Sequence, residues 1–329
     1  MAINLTTKYA STIEKLYTHT SFLRAHCKAN VEMTGAKTCR VYMLNTTPVV
    51  DYTRNGNSRY GEVKDVQDTV VEYMMTQDKS FTGVVDKGDE SEQAISNKSG
   101  QWLRQQIAEQ CVPTGDKYGF ARIAKFGHIA GVTAEPTKST IVTMVYDAAT
   151  YMDEHLVPEN GRVLFVRAKD YPKIILSDEW HGLDSLAGKQ LPTGTVGQIA
   201  GFTVVKVPSN MFPTDVYMVA AQESALAFPY RINDTKIHQD PPGISGALIE
   251  GRQTYDLFVL ASKADAVVVI GKDGSKQACT VAIASHSAAV TAEGADEIWY
   301  TLDGSDPRFS ANRKTVANAG TVVTKAGET

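Results

Sequence analysis

The sequence predicts an α+β body followed by a small, separate all-β module, and three observations carry this. Two stretches repeat apolar residues at helical spacing: Ile95, Trp102, Leu103, Ile107 and Cys111 in one, Ile141, Met144, Val145, Ala148, Met152 and Leu156 in the other. Short continuous apolar runs, Val163-Leu164-Phe165-Val166 the clearest, suit strands covered on both faces, yet they do not alternate with helices in a regular βαβ series. Composition then shifts at Gly271-Lys272-Asp273-Gly274-Ser275, beyond which the chain is rich in Ala, Thr and Val and poor in Leu.

Residues 1–30 are polar and weakly helical from Ser11 to Leu23, which reads as an extended arm. Val31 to Leu44 carries strand-like pieces, with Val41-Tyr42-Met43-Leu44 the best. Asp51 to Ser58 is rich in turn formers, and Val63 to Asp86 reads as an extended ribbon. Asp89 with Glu92 three residues on suits a capping box and opens a helix that Pro113 is expected to end. A second helical segment is expected over Lys117 to Ile129, and a third after Ser139 or Thr140. Strands are expected at Val163–Val166, Gly201–Val207, Val216–Ala220, Asp256–Leu260 and Ala266–Ile270, with a short helix at Ser224–Phe228.

The 329 residues allow more than one domain. Hydrophobic content of 43% and charged content of 21% are ordinary for a folded chain, and a net charge of −4 argues against a general nucleic-acid binder. The charge is uneven. Residues 1–50 carry six basic and two acidic side chains, whereas residues 51–90 carry five and nine. Such blocks either steer head-to-tail contacts between copies or are simply solvated. Cys27, Cys39, Cys111 and Cys279 have no zinc or redox spacing and read as free thiols of a reducing compartment. No stretch is long and apolar enough to cross a membrane, and the N-terminus lacks a signal-peptide pattern, so synthesis in the cytosol without ordinary export is expected.

Motifs for chemistry fall short. Gly182 to Lys189 approaches a phosphate loop, but five residues separate its glycines and Gln190 stands where magnesium needs Ser or Thr. The seven histidines are scattered, no G-x-S-x-G elbow occurs, and Asp153-Glu154 and Asp178-Glu179 are adjacent pairs whose side chains diverge. No catalytic residue, cofactor or metal site is expected.

The segment Tyr73 to Lys87 reads as extended without a clean apolar face to bury in its own chain. A ribbon of that kind is marginal in water unless something covers it. Packing on a neighbouring sheet is one reading. Contact with a second copy is preferred, because the ribbon is long, mixed in charge and remote in sequence from the core strands. Tyr73, Met74, Met75, Gln77, Asp78, Lys79, Phe81 and Lys87 are the candidate contact residues, joined by Trp102 on the following helix.

An ordered set of segments carries a family resemblance: the arm, the Asp51-Tyr52 to Gly61 turn region, Thr76-Gln77-Asp78-Lys79-Ser80-Phe81, and the helix to Val112-Pro113. Gly161-Arg162-Val163-Leu164-Phe165-Val166 with Tyr171-Pro172, Gly201 to Ser209, and Tyr255-Asp256-Leu257-Phe258-Val259-Leu260 complete it. Over about residues 5–272 the chain resembles the major capsid protein of tailed bacteriophages, with the HK97-type fold. The resemblance implies an N-arm (1–30), an extended loop (45–88), a spine helix (89–112), an axial domain (134–245) and a peripheral domain formed by the remainder of 1–272. It implies a structural, non-enzymatic subunit of an icosahedral head, built from hexamers and pentamers, in the virion after assembly in the host cytoplasm. Expected partners are further copies of the chain, a portal, scaffold or minor capsid proteins, and packaged double-stranded DNA held non-specifically, with no membrane. Gly56, Gly61, Gly83 and Gly88 are candidate hinges, and no cross-linking of Lys79 or Lys87 is expected.

Residues 273–329, with Glu297-Ile298-Trp299-Tyr300-Thr301-Leu302-Asp303-Gly304-Ser305-Asp306-Pro307, resemble the Ig-like module at the C-termini of some chitobiases. On a shell it would sit outside, with Trp299 and Tyr300 as candidate glycan-stacking rings or core residues. The alternatives are an encapsulin-like nanocompartment shell and, from another class, a carbohydrate-active protein with an accessory module.

Overall fold

The computed structural model describes residues 21–33, 37–44, 47, 49–52, 54, 59–62, 68–86, 99–177, 195–272, 279–284, 287–292, 297–302, 307 and 312–323. The arm before Ser21, Lys87, the start of the spine helix, the near-miss phosphate loop, Gly56, Gly88 and the Asp303-Gly304 turn lie outside these residues.

A short 3-10 turn (Arg24–His26) precedes β1 (Glu32–Met33), β2 (Thr38–Leu44) and β3 (Asp68–Met74), which form one antiparallel sheet. β4 (Gln77–Asp86) belongs to another sheet. Next come α1 (Ser99–Gln106), a π-helical turn (Ile107–Cys111) and α2 (Val112–Phe126). They are followed by β5 (His128–Val132), α3 (Ile141–Glu154), β6 (Arg162–Arg167), α4 (Tyr171–Ile175), β7 (Thr195–Ile199), β8 (Phe202–Val207) and β9 (Val216–Gln222). β10 (Leu226–Ala227), β11 (Tyr230–Gln239), β12 (Gly246–Tyr255), β13 (Phe258–Val259) and β14 (Val267–Lys272) close the body. The C-terminal module holds β15 (Cys279–Ala284), β16 (Ser287–Ala292), β17 (Glu297–Tyr300), β18 (Lys314–Ala317) and β19 (Gly320–Val323).

The apolar runs do form strands buried on both faces, in a six-stranded sheet of order β5-β14-β9-β6-β8-β7. Its side chains alternate between two cores. Val163, Phe165, Val219, Ala221, Val267 and Val269 pack with Phe120, Ile123 and Phe126 of α2. Their sequence neighbours Leu164, Val166, Met218, Ala220, Val268 and Ile270 pack with Ile141, Val145, Ala148 and Met152 of α3. Burying both faces stabilises each large side chain by roughly 1.5–3 kcal/mol, which is why these strands tolerate no polar alternation.

Pro113 does not end its helix, which corrects the expected stop at residue 112. The Val112 N–H bonds to the Ile107 carbonyl in the π turn. The next π-type bond would need an N–H from residue 113, which proline lacks. The chain therefore returns to α geometry with Pro113 in the first turn of α2, where a missing N–H costs little. The expected helix over Lys117–Ile129 stops at Phe126, and His128 already opens β5, parallel to β14.

The reading of Tyr73–Lys87 as one unpartnered ribbon is also corrected. β3 pairs with β2 from Thr38↔Met74 to Leu44↔Asp68, so the described arms of the ribbon are residues 38–44 and 68–74. β4 pairs along its whole length with β12, from Gln77↔Tyr255 to Asp86↔Gly246. Sequence patterning missed the β11–β12 hairpin, in which β11 is largely polar and exposed; the boundary expected at 245 falls in its turn. At Gly246 (φ +143°), the first residue of β12, a Cβ would collide with the Val85 carbonyl of β4. Ser224–Phe228 is not a helix. A 3-10 turn (Glu223–Ala225) leads into β10, which pairs with β13, the only strand within Asp256–Leu260.

In the module, β15-β16-β19 and β17-β18 enclose a separate core of Val290, Ala292, Ile298 and Val322.

Candidate functional site: the ribbon and its root

Register decides what the ribbon can touch, because successive side chains on a strand point to opposite faces. On one face, Cys39, Val41 and Tyr73 pack with Met75, Ala227, Phe258 and Leu260 of the body. On the other, Arg40 pairs with Glu72 at 2.6 Å, flanked by the exposed Tyr42, Val70 and Met74. Towards the tip, Val49 (99% exposed), Val50, Tyr52 and Tyr60 (86%) also face solvent, with the two tyrosine rings edge-on at 5.1 Å. Among the described residues, eight of the fifteen exposed large apolar side chains lie between Met33 and Met74. Apolar exposure concentrated in this way marks a contact surface.

The root is held by polar groups. Asp256, fully buried, accepts bonds from the Thr76 N–H (2.9 Å), the Thr76 hydroxyl (2.8 Å), the Tyr118 hydroxyl (3.0 Å) and the Leu257 N–H (2.8 Å), with Arg122 Nε at 3.3 Å. Burial, chiefly, pushes the Tyr118 phenol above its ordinary range. Asp78 is clamped by Arg252, through both Nε (2.7 Å) and a terminal nitrogen, and by Lys37 (2.8 Å). Those hydrogen bonds, Arg252 first and Lys37 second, hold its carboxyl far below the usual carboxylate range.

Where the arm enters the body, buried Asp116 accepts from the Ser21 hydroxyl (2.6 Å) and the Phe22 N–H (2.8 Å). Burial pushes its carboxyl up, against these bonds and the nearby Arg24. Leu23 fills the space a Cβ would need at Gly119. Glu223 binds His26 (2.8 Å) and Lys28 (2.6 Å); partial burial raises its carboxyl, but these partners outweigh it and leave it below the ordinary value.

The candidate contact residues therefore divide. Tyr73 and Met75 belong to the chain's own core, so their surface reading fails: burial takes them away from any second copy. Met74 (68% exposed) and Lys79 face solvent. Gln77 and Asp78 sit at the root. Phe81 and Trp102 are half-buried against each other, ring centroids 6.3 Å apart. Tyr42, Val70 and the apolar tip are not among the sequence candidates: Val49, Val50, Tyr52 and Tyr60 lie in or beside the run of turn formers at 51–58, where no periodicity marks an exposed apolar face.

Trp299 donates its ring N–H to Glu297 (2.8 Å), and Arg313 and Lys125 lie 4.1 and 4.8 Å from its ring centroid. It also packs against the α2 core, while Tyr300 packs on the module core. Among the described residues no cluster of His, Cys, Asp and Glu could hold a metal, and no helix is long and apolar enough to cross a membrane. Cys39 and Cys111 are buried and Cys27 half-buried, all as free thiols.

A two-faced mixed sheet, a long helix bearing a π turn and a two-stranded ribbon springing from the body together define the HK97-type capsid fold. Solved structures share it. A chain of Mycobacterium phage Che8 superposes with a TM-score of 0.62 at 19% identity, covering 82% of this chain and 98% of that one. The capsid structure of cyanophage P-SCSP1u gives 0.62 at 13%, covering 81% and 92%. The mature capsid of bacteriophage PhiM1 gives 0.60 at 13%, covering 80% and 90%. No protein-family model matches the chain, and no curated protein does.

Proposed function

We propose that this chain is a structural phage major capsid protein that self-assembles into an icosahedral head enclosing double-stranded DNA. The observation that carries the reading is the exposed apolar side of the ribbon, on a fold shared with phage capsid subunits. Met74, Val70, Tyr42 and the tip residues gain burial only against another copy. An obligate interface of this kind buries on the order of 2,000 Å² or more. Closed symmetry turns repeated contacts into a shell rather than a filament. Hexamers and pentamers are the natural units, with the N-arm as a second contact and Gly61 as a joint; Gly83, held in the β4–β12 ladder, cannot flex as a hinge. The DNA would be held through its phosphates, without sequence preference, in part by basic residues of the arm. A portal and scaffold or minor capsid proteins complete the proposed partners, the virion is the proposed location, and the C-terminal module is an Ig-like decoration.

Electron microscopy of the purified full-length chain tests this. Closed shells are the expected result. A monodisperse monomer at high concentration sinks it, and shells filled with a cargo protein instead of DNA would assign the fold to a nanocompartment.

A further inference from the structure

We propose that the Asp256 carboxylate is a coupling pin that ties the direction of the ribbon to helix α2. Met75 and Thr76 alone join β3, in the ribbon sheet, to β4, in the sheet of β11 and β12. A swing of β3 relative to β4 turns at these two residues. Thr76 gives both its N–H and its hydroxyl to Asp256. Tyr118 and Arg122, one turn apart on α2, engage the same carboxylate, and Asp256 itself follows directly on β12. One buried group thus holds the ribbon hinge, the helix and the body sheet.

A buried carboxylate is tolerated only while its partners satisfy it. Rotation about Thr76 strips two donors from Asp256 at once, and a shift of α2 strips the Tyr118 hydroxyl and the Arg122 charge. Neither element moves without exposing the other to that penalty, so the two move together. The clamp at Asp78 is different: through it, Lys37 and Arg252 link the ribbon root to the body sheet. Within a shell, a consequence that rests on the proposed function, a neighbour pressing on the ribbon would be felt along α2.

Hydrogen exchange on the full-length chain tests the pin in Thr76→Val, Tyr118→Phe, Asp256→Asn and Asp78→Asn. Thr76→Val and Tyr118→Phe are each expected to speed exchange in both the ribbon (38–44, 68–74) and α2 (116–124). The expected change is about fivefold, the effect of one net hydrogen bond on a local opening equilibrium. Strands β6 and β9 should be unchanged, and Asp78→Asn should loosen the ribbon alone. The pin is overturned if Tyr118→Phe acts only on α2 and Thr76→Val only on the ribbon, or if exchange rises uniformly through the chain. The Thr76 and Tyr118 hydroxyls also meet directly at 3.1 Å, so the two conservative variants decide whether ribbon and helix are coupled, and Asp256→Asn decides whether the carboxylate carries that coupling. Micrographs of the same samples report assembly separately, so coupled exchange in a protein that forms no shells keeps the pin and sinks the capsid reading.

Discussion

Phe81 stands directly opposite Gly251 in the β4–β12 pair, and its ring lies across the space a Cβ at Gly251 would occupy. Two residues along the strand the arrangement repeats: Gly83 faces Ile249, and a Cβ at Gly83 would meet the Trp102 ring at 2.5 Å. Two glycines thus seat the two aromatic rings that lie between α1 and the sheet. Gly251→Ala and Gly83→Ala should each cost about 1–3 kcal/mol through overpacking. Thermal unfolding reads this directly, and an unchanged midpoint would mean that the rings step aside freely.

Adjacent residues on β3 should behave in opposite ways. Tyr73 is buried against Phe258, with ring centroids 5.1 Å apart, whereas Met74 points to solvent. Tyr73→Ala should destabilise the folded chain by about 3 kcal/mol. Met74→Asp should leave stability within about 0.5 kcal/mol while blocking assembly. Denaturant unfolding and sedimentation together separate these outcomes. Normal particles from Met74→Asp would remove this face of the ribbon from the interface.

Acid should act on two carboxyls with opposite sign. Asp116 has its carboxyl raised by burial, so the folded chain binds a proton more readily than the unfolded one. Its contribution to stability is therefore greater below the folded value and declines as pH rises through the window above 3.8. Asp78 is depressed by Arg252 and Lys37, so its contribution is present above 3.8 and is lost as pH falls below it. Melting temperature followed from pH 7 to pH 3, as a rough working range for carboxyl titration, should show Asp116→Asn removing a gain on acidification. Asp78→Asn should remove part of the acid loss. Parallel curves for all three proteins would contradict both assignments.

Trp299 is expected to fasten the C-terminal module to the body, since Lys125 comes from α2 and Arg313 from the module. Each exposed cation–ring contact is worth about 0.5–1 kcal/mol. Trp299→Ala should accelerate trypsin cleavage after Lys272 and leave the melting of the body unchanged. Equal cleavage rates would show that the module is held by other contacts.

Much of the body was legible in sequence. Val163–Val166, Val216–Ala220 and Ala266–Ile270 announced strands covered on both faces, because no exposed strand carries so many consecutive apolar residues. The stripe from Ile141 to Met152 announced the helix that covers one of those faces. The candidate surface was legible only in part. Exposed ribbon residues such as Tyr42 and Val70 look like core residues in a one-dimensional pattern, and Tyr73 and Met75 look like their neighbour Met74. Buried Asp116 and Asp256 resemble any solvated acid until their donors are known.

By itself, the sequence determined which segments must be buried, since apolar periodicity depends only on neighbours along the chain. It also set the separate character of the tail and the extended habit of residues 68–86. The tertiary structure alone decided that β4 pairs with β12, that the ribbon turns at Met75–Thr76, and that one carboxylate gathers Thr76, Tyr118 and Arg122. Those outcomes depend on groups up to 180 residues apart, whose pairing is settled by register and by the cost of burying an unsatisfied charge, neither of which is written in local composition.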